Sequence, residues 1–181
     1  MSERRYDPNR RQRLIEVTLD VIAEHGVAAT THRKVAQAAD VPLGSLTYHF
    51  KGLDDLLAAA FTKLADETAD GFEAALAGAG GPDAAREAVV ALITGQMLGE
   101  RRNVLLTYEL YALAARRPDL RRVTDNWMAR SRAALARHFD PATAEMLDAL
   151  IEGLSLHLAL GLNPMSAETV REAVNRIATP L

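Results

Sequence analysis

The chain has 181 residues, 49% of them hydrophobic, and a formal net charge of −3. This composition supports a sizeable hydrophobic core, and the lack of cysteine excludes disulfide bonds, thiolate metal sites and a cysteine nucleophile. Because the N-terminus is charged and no apolar run reaches the ~18 residues of a membrane span, we expect a cytoplasmic protein with no membrane partner.

The first 50 residues carry signals for three helices and the turns between them. Asp7-Pro8 is typical of a helix start, and Gly26 of the end of the same helix. A second helix is predicted over about residues 31–39 and a third over about residues 43–49, with Asp40 in a left-handed conformation in the turn. Two short helices joined by a tight turn form a helix-turn-helix, whose second helix can lie in the major groove of DNA.

Helices are predicted for the rest of the chain as well, since strand patterns are almost absent. A long helix over about residues 53–77 ends at the break GAGGP, residues 78–82. The later helices are predicted over about residues 82–98, 102–115, 118–138, 141–161 and 167–178. We therefore predict an all-α fold of about nine helices, with a helix-turn-helix domain at residues 1–52 and a second helical domain at residues 53–181.

Positive charge is concentrated at the N-terminal end. Residues 1–51 contain eight Lys or Arg and six Asp or Glu, although the whole chain is negative. A difference of this size also arises by chance, so it supports a DNA-facing end only together with the motif. The basic arm from Arg4 to Arg13 either contacts DNA or is a solvated tail.

The predicted third helix, LGSLTYH, has one apolar and one polar face. Leu46 and Phe50 are four residues apart, so they would be buried together. On the other face, Gly44 is small enough to approach a phosphate closely. Side chains suited to phosphate oxygens or base edges are Ser45, Thr47, Tyr48 and His49.

The segment from Val35 to Lys51, VAQAADVPLGSLTYHFK, followed by Asp55-Leu56-Leu57, resembles the N-terminal domain of the TetR family of transcriptional repressors. The all-α remainder has the helix count of that family's regulatory domain. The resemblance implies a homodimer that reads a palindromic operator in double-stranded DNA. It also implies that residues 53–181 dimerise and bind a small-molecule inducer.

The resemblance assigns DNA contacts by position. Three stand at the start of the second helix: Thr31, His32 and Arg33. On the recognition helix, bases would be contacted by Leu43, Ser45 and Thr47, and phosphates by Gly44, Tyr48, His49 and Lys51. The chain departs from the family pattern at Asp40, Leu43 and Thr47, where glycine, lysine and tyrosine are common. These departures affect which operator is read, not the DNA-binding role.

The second half of the predicted helix at residues 141–161 is apolar nearly all round, and the last predicted helix adds one apolar stripe. A helix that is apolar on every side needs cover on every side, so a second subunit is expected to supply part of it. The expected interface residues are Leu147, Ile151, Leu154, Leu158, Val170, Val174 and Ile177. The alternative is that the same residues form a core within one chain.

A ligand pocket is predicted from the larger side chains of the C-terminal half. Small-molecule sites use aromatic walls with a few polar groups. The candidates are Phe72, Met97, Tyr108, Tyr111, Trp127, Met128 and His157. The alternative is that these residues belong to the core, with His157 as a hydrogen-bonded core histidine.

Motifs for enzymatic chemistry are missing from the sequence. It contains no HExxH or ExxH motif and no phosphate-binding glycine loop, so we expect neither catalysis nor a metal or cofactor. The expected function is a repressor released from its operator by an inducer. The alternatives are a ligand-independent or activating regulator of the same fold, or a helical interaction protein without DNA binding.

Overall fold

The computed structural model describes residues 8–95 and 101–178, and in these ranges it contains nine α-helices and no strand. The helices are α1 Arg10–His25, α2 His32–Ala38, α3 Leu43–His49, α4 Leu53–Ala77, α5 Pro82–Thr94, α6 Arg101–Ala114, α7 Pro118–Leu135, α8 Pro141–Leu160 and α9 Ala167–Ala178. A 3₁₀ turn, Val27–Ala29, links α1 to α2. The all-α fold predicted from the sequence is confirmed.

A few helix ends differ from their predicted positions. α1 begins at Arg10, after a turn at Pro8 and Asn9, and the predicted cap Asp7 lies outside the described residues. α7 ends at Leu135 rather than near residue 138, because the N–H groups of Arg137 and His138 donate to carbonyls three residues back, those of Ala134 and Leu135, instead of four as in an α-helix.

The start of α8 is capped as its sequence predicts. The Asp140 carboxylate accepts hydrogen bonds from the backbone N–H groups of Ala142 and Thr143, both at 3.1 Å. The hydrogen bonds from Thr143 hold the pKa of Asp140 below its usual value. Pro141 follows at the first helical position, where its missing N–H costs no hydrogen bond.

The chain divides into two compact units between Leu64 and Ala65, inside α4. The boundary predicted between residues 52 and 53 falls at the start of the same helix and stays a prediction. We refer to residues 8–64 as the N-terminal unit and to the described residues from 65 onwards as the C-terminal unit.

The N-terminal unit is built around the apolar stripe of α1. Leu14, Ile15, Leu19 and Ile22 recur at helical spacing and are buried. They share this core with buried side chains of α2, α3 and the first half of α4, namely Val35, Ala36, Leu46, Leu56, Leu57, Ala60 and Phe61. This core fixes the two short helices of the helix-turn-helix, which are too short to be stable alone.

The core of the C-terminal unit is contributed mainly by α5, α8 and α9, which pack on one another. The buried side chains include Val89 and Ile93 of α5, Leu147 and Ile151 of α8, and Val174 of α9. No helix in the described part of the chain is long and apolar enough to cross a membrane.

This core contains most of the residues predicted for the dimer interface. Five of the expected interface residues are buried inside the single chain: Leu147, Ile151, Leu154, Val170 and Val174. The other two, Leu158 and Ile177, are partly buried against the same core. Leu147, Val170 and Val174 have no exposed surface to offer a second subunit, so the alternative of an intramolecular core describes these three better. Leu158 and Ile177 keep some exposed surface, and their interface role stays a prediction.

Candidate nucleic-acid interface and ligand cavity

The turn between α2 and α3 has a helix-terminating hydrogen-bond pattern. Asp40 has a φ of 50°, the only positive φ at a non-glycine position among the described residues. Its N–H donates to the Gln37 carbonyl at 3.1 Å, and the Val41 N–H donates to the Ala36 carbonyl at 3.0 Å. This is a Schellman motif with aspartate in the left-handed position, as the sequence predicts.

Helix α3 is held by its apolar face. Leu46 is 0% exposed and Phe50, directly after the helix, is 3% exposed. Tyr48, on the opposite face, is 85% exposed, and Leu43, the first residue of the helix, is 47% exposed. Large side chains this exposed are available to a binding partner, because they contribute little to the protein's own core.

The polar side chains of α3 differ in exposure: Thr47 and Tyr48 are exposed, whereas Ser45 and His49 are half-buried. Thr47 is exposed, and its hydroxyl donates to the Gly44 carbonyl at 3.1 Å while its oxygen stays available as an acceptor. Gly44 is exposed, and a Cβ built there would meet no atom within 4 Å. Packing therefore does not require glycine at position 44.

The start of α2 is ordered by Thr31. The Lys34 N–H donates to the Thr31 hydroxyl oxygen at 3.2 Å, which caps the helix. Thr31 and Arg33 are exposed, whereas His32 is half-buried and its Nε2 is shielded without a hydrogen-bond partner among the described residues. Of the three predicted contacts at this helix start, Thr31 and Arg33 are the more accessible.

Sequence reasoning missed a link between α1 and the end of α3. The Arg11 guanidinium lies over the Phe50 ring, 5.1 Å from its centroid. Just beyond, the Lys51 N–H donates to the Asp55 carboxylate at 3.0 Å. The sequence shows Arg11 only as one of several arginines, and the aromatic ring it covers becomes known only from the fold.

The C-terminal unit contains a cavity between α4, α6, α7 and α8, with about 680 Å³ of empty space including its open mouth. Four aromatic side chains line it: Phe72, Tyr108, Tyr111 and Trp127. The Tyr111 ring lies 6.0 Å from both the Tyr108 ring and the Trp127 ring.

Five of the seven predicted pocket residues therefore line one cavity, these four and Met128. Met97 lies outside the described residues. His157 is exposed on α8 and does not line the cavity, so for this residue neither the pocket prediction nor the core alternative is correct.

Two carboxylates on α8 also line the cavity, and the sequence analysis did not select them. Burial raises the pKa of Asp148 to about 6, and Arg132, whose Nη1 lies 3.4 Å from Asp148 Oδ2, partly offsets this. Burial also raises the pKa of Glu152, against the opposing effect of a hydrogen bond with Tyr111. The sequence pattern that indicates these carboxylates is the spacing of Asp148, Glu152 and Ser155, which puts three polar residues on one side of an apolar helix.

Ser155 completes the polar side of the cavity. It is 7% exposed, and its Oγ is buried without a hydrogen-bond partner among the described residues. An unpaired buried hydroxyl has a free-energy cost, and a bound ligand can remove that cost by forming a hydrogen bond.

Both halves of the chain match known families. Residues 14–60 match the family model described as bacterial regulatory proteins, tetR family. Residues 86–180 match the model described as tetracyclin repressor-like, C-terminal domain. The chain belongs to the TetR family.

Individual TetR-family relatives align over nearly the whole chain. The HTH-type transcriptional regulator BetI 1 of Chromohalobacter salexigens is 31% identical over 176 residues, which cover 91% of this chain and 86% of the relative. The crystal structure of the putative transcriptional regulator SCO7518 from Streptomyces coelicolor A3(2) is 50% identical, with a TM-score of 0.87 and coverage of 96% and 100%. The multidrug binding protein EbrR, solved with ethidium, is 40% identical, with a TM-score of 0.78 and coverage of 95% and 99%.

Membership of the TetR family makes the chain a DNA-binding transcriptional regulator. In this TetR-family fold, α2 and α3 form the helix-turn-helix, and the aromatic cavity lies in the part matched by the C-terminal model together with α4.

Proposed function

We propose that the protein is a homodimeric repressor that binds a palindromic operator and is released by a small molecule bound in the cavity of the C-terminal unit. The observation that carries this proposal is the two-sided character of α3: Leu46 and Phe50 are buried, while Leu43, Thr47 and Tyr48 are exposed. A recognition helix needs this arrangement, because its inner face must be fixed and its outer face must fit the major groove.

The DNA contacts are proposed in two groups. Leu43, Ser45 and Thr47 read base edges, with the Leu43 side chain available for apolar contact with a thymine methyl group. Phosphates are contacted from α3 and its C-terminal end by Gly44, Tyr48, His49 and Lys51, and from the start of α2 by Thr31, His32 and Arg33. Phosphate contacts set the position of the protein on DNA, and base contacts set which sequence is read.

The dimer interface is proposed on a different face of α8 from the one predicted from sequence. Met146 and Leu160 are both 50% exposed, and Ala149 and Gly153 lie between them at helical spacing. The small residues at positions 149 and 153 allow another helix to approach closely. A two-fold axis beside this face would bring the same stripe of both protomers together.

The coupling between ligand and DNA is proposed to run along α4. This helix is continuous from Leu53 to Ala77, contributes Leu56 to the N-terminal core and carries Phe72 in the cavity. A ligand that prefers one arrangement of the two recognition helices shifts the population towards it. The shift is limited by the difference between its affinities for the two states. EbrR, whose structures contain small molecules such as ethidium, supports a ligand role for the cavity.

The decisive experiment measures binding of the dimer to DNA flanking its own gene. Specific binding is expected to weaken by about 10³-fold or more between about 50 and 200 mM salt, since several phosphates are neutralised. A folded dimer that binds neither this DNA nor random DNA at low salt would exclude the DNA-binding role and favour the interaction-protein alternative. Operator binding that raises transcription of a reporter gene would instead identify an activator.

A further inference from the structure

The polar side of the cavity in the C-terminal unit has two carboxylates but only one basic partner. Asp148 has Arg132 as a partner at 3.4 Å. Glu152 has a hydrogen bond with Tyr111 and Asp148 as a like-charged neighbour, and it forms no salt bridge with a basic side chain among the described residues. With both carboxylates ionised, the polar side of the cavity therefore carries two negative charges against one positive charge.

A buried carboxylate without a counter-ion is unfavourable, because burial removes the water that stabilises its charge. A cation bound beside Glu152 would restore this stabilisation. An anion would add like-charge repulsion, and a neutral molecule would leave the charge unpaired. The charge of the cavity therefore favours a cationic ligand over an anionic or a neutral one, whatever its shape.

The walls of the cavity add a preference for flat rings. Tyr111 and Trp127 have centroids 6.0 Å apart and planes inclined by only 33°, and Tyr108 meets Tyr111 edge-on at 86°. Aromatic faces attract both other aromatic rings and cations. The unpaired Ser155 hydroxyl is a hydrogen-bond partner for an N–H group on such a ring.

The geometry points to a planar aromatic cation carrying an N–H group as the ligand class of this cavity, with Glu152 as its counter-ion and Ser155 as its hydrogen-bond partner. The ligand class rests on the role of the cavity proposed above. The expected ligand is a protonated or quaternary heteroaromatic amine with one positive charge. A single charge is sufficient, because Arg132 already balances the charge of Asp148.

Two matched pairs of compounds test this assignment on the full-length protein. Ethidium is compared with its neutral parent 3,8-diamino-6-phenylphenanthridine, which lacks only the N-ethyl group and the charge, and proflavin with its neutral isostere 2,7-diaminoanthracene, in each case by fluorescence or calorimetric titration at neutral pH. DNA is left out, because both dyes intercalate into it. Each cation is expected to bind at least about 10-fold more tightly than its neutral parent. The ligand class is overturned if the neutral parents bind as tightly as the cations, or if the anion anilinonaphthalene sulfonate does.

Substitutions then test the two named residues. Glu152→Gln is expected to weaken ethidium binding about 10-fold or more and to change binding of the neutral parent 3,8-diamino-6-phenylphenanthridine by less than about twofold. Ser155→Ala is expected to weaken ethidium binding by about two- to tenfold. Glu145→Gln is the matched control, since this exposed carboxylate lies on the same helix outside the cavity. An unchanged ethidium affinity in folded Glu152→Gln protein would remove Glu152 as the counter-ion.

The ligand class and the proposed function fail separately. Charge-dependent ethidium binding without any effect on operator binding, measured afterwards with a non-intercalating cation, would leave the ligand class intact and exclude ligand-induced release. Release of the operator by neutral aromatic compounds alone would exclude the ligand class and leave ligand-induced release intact. The comparison of matched compounds uses the unaltered protein, so it stands even if a substituted protein does not fold.

Discussion

The Nε of Arg130 on α7 donates to the Glu73 carboxylate on α4 at a distance of 2.7 Å. The same guanidinium also contacts Asp70 and lies 3.6 Å from Asp66. This hydrogen bond holds the pKa of Glu73 below its usual value. One arginine thus joins the C-terminal half of α4 to a helix that carries Trp127 and Ser131 of the cavity wall.

Arg130→Gln is expected to weaken the effect of ligand on operator binding. Without the guanidinium, α4 is less firmly attached to α7, so a change in the cavity moves α4 less effectively. The ratio of operator affinities without and with saturating ligand is expected to fall by about threefold or more, within the range of measured coupling energies. DNA-binding titrations at both ligand conditions measure it. Arg122→Gln, at an exposed position of the same helix, serves as the control, and equal ratios in both variants would exclude a coupling role for Arg130.

Gly44→Ala is expected to separate folding from DNA binding. A methyl group at this position meets no atom within 4 Å, and alanine in a helix is favoured over glycine by up to about 1 kcal/mol. Thermal stability should therefore stay equal or rise, while operator affinity falls about tenfold or more because the backbone can no longer approach a phosphate as closely. The same change at exposed Gly78, where a Cβ is equally free, should leave operator binding intact. Unaltered operator affinity in Gly44→Ala would remove the proposed close approach.

Tyr48→Ala and Thr47→Ala are expected to act differently on DNA recognition. Removing the 85% exposed Tyr48 side chain takes away a phosphate contact, so binding to all sequences should weaken alike. Removing the Thr47 hydroxyl should change preference at one operator position, by about 1–3 kcal/mol. A comparison of affinities across single-base operator variants distinguishes the two. Uniform losses for both variants would show that the base and phosphate assignments are wrong.

Gly153→Arg is expected to produce a folded monomer. No atom of the chain lies within 4 Å of a Cβ built at Gly153, so the fold can accept a side chain there, whereas two arginines would meet across the proposed two-fold axis. Sedimentation or light scattering measures the mass, and circular dichroism checks the helix content. Ala133→Arg, at an exposed position on α7, is the control and should remain dimeric. A dimer persisting in Gly153→Arg would place the interface on another surface.

The affinity for an aromatic cation is expected to rise with pH through the range in which the cavity carboxylates ionise. Burial raises the pKa of Asp148 to about 6, with Arg132 partly offsetting this, and burial also raises the pKa of Glu152. Tyr108 and Tyr111 stay neutral, because burial raises their pKa values as well. Ethidium should bind about threefold to tenfold more tightly at about pH 7.5 than at about pH 5. A flat or opposite pH profile would contradict the carboxylate assignment.

The same pKa shift has a consequence for the free protein. Since the folded-state pKa of Asp148 lies above its unfolded value, its contribution to stability is greatest at low pH, where the carboxyl is protonated in both states. This contribution is lost as the pH rises towards about 6, the folded pKa. Asp148→Asn should remove this part of the pH dependence of unfolding, which thermal denaturation at several pH values measures.

The helix-turn-helix illustrates what the local sequence predicts well. The helices around Asp40, the buried pair Leu46 and Phe50 and the cap at Asp140 all follow from interactions between residues a few positions apart. The pattern of such interactions can be read from a short segment, although the core supplies the stability of the short helices. For this reason the fold class and the DNA-binding role could be predicted from the sequence.

Helix α8 shows what the sequence does not decide. Its periodicity indicates a helix that needs cover on every side, but not which neighbour covers each side. The tertiary structure gives it three faces: Leu147 and Ile151 face the chain's own core, Asp148 and Glu152 line the cavity, and Met146 and Leu160 remain exposed.

The sequence by itself therefore determined the helices, the turn at Asp40 and the recognition helix, because each depends on nearby residues and on periodicity. Only the tertiary structure decided which apolar residues of α8 are core and which are available to a partner. It also decided that Asp148 and Glu152 are buried carboxylates rather than solvated surface charges. Burial and pKa depend on residues distant in the chain, and these come together only on folding.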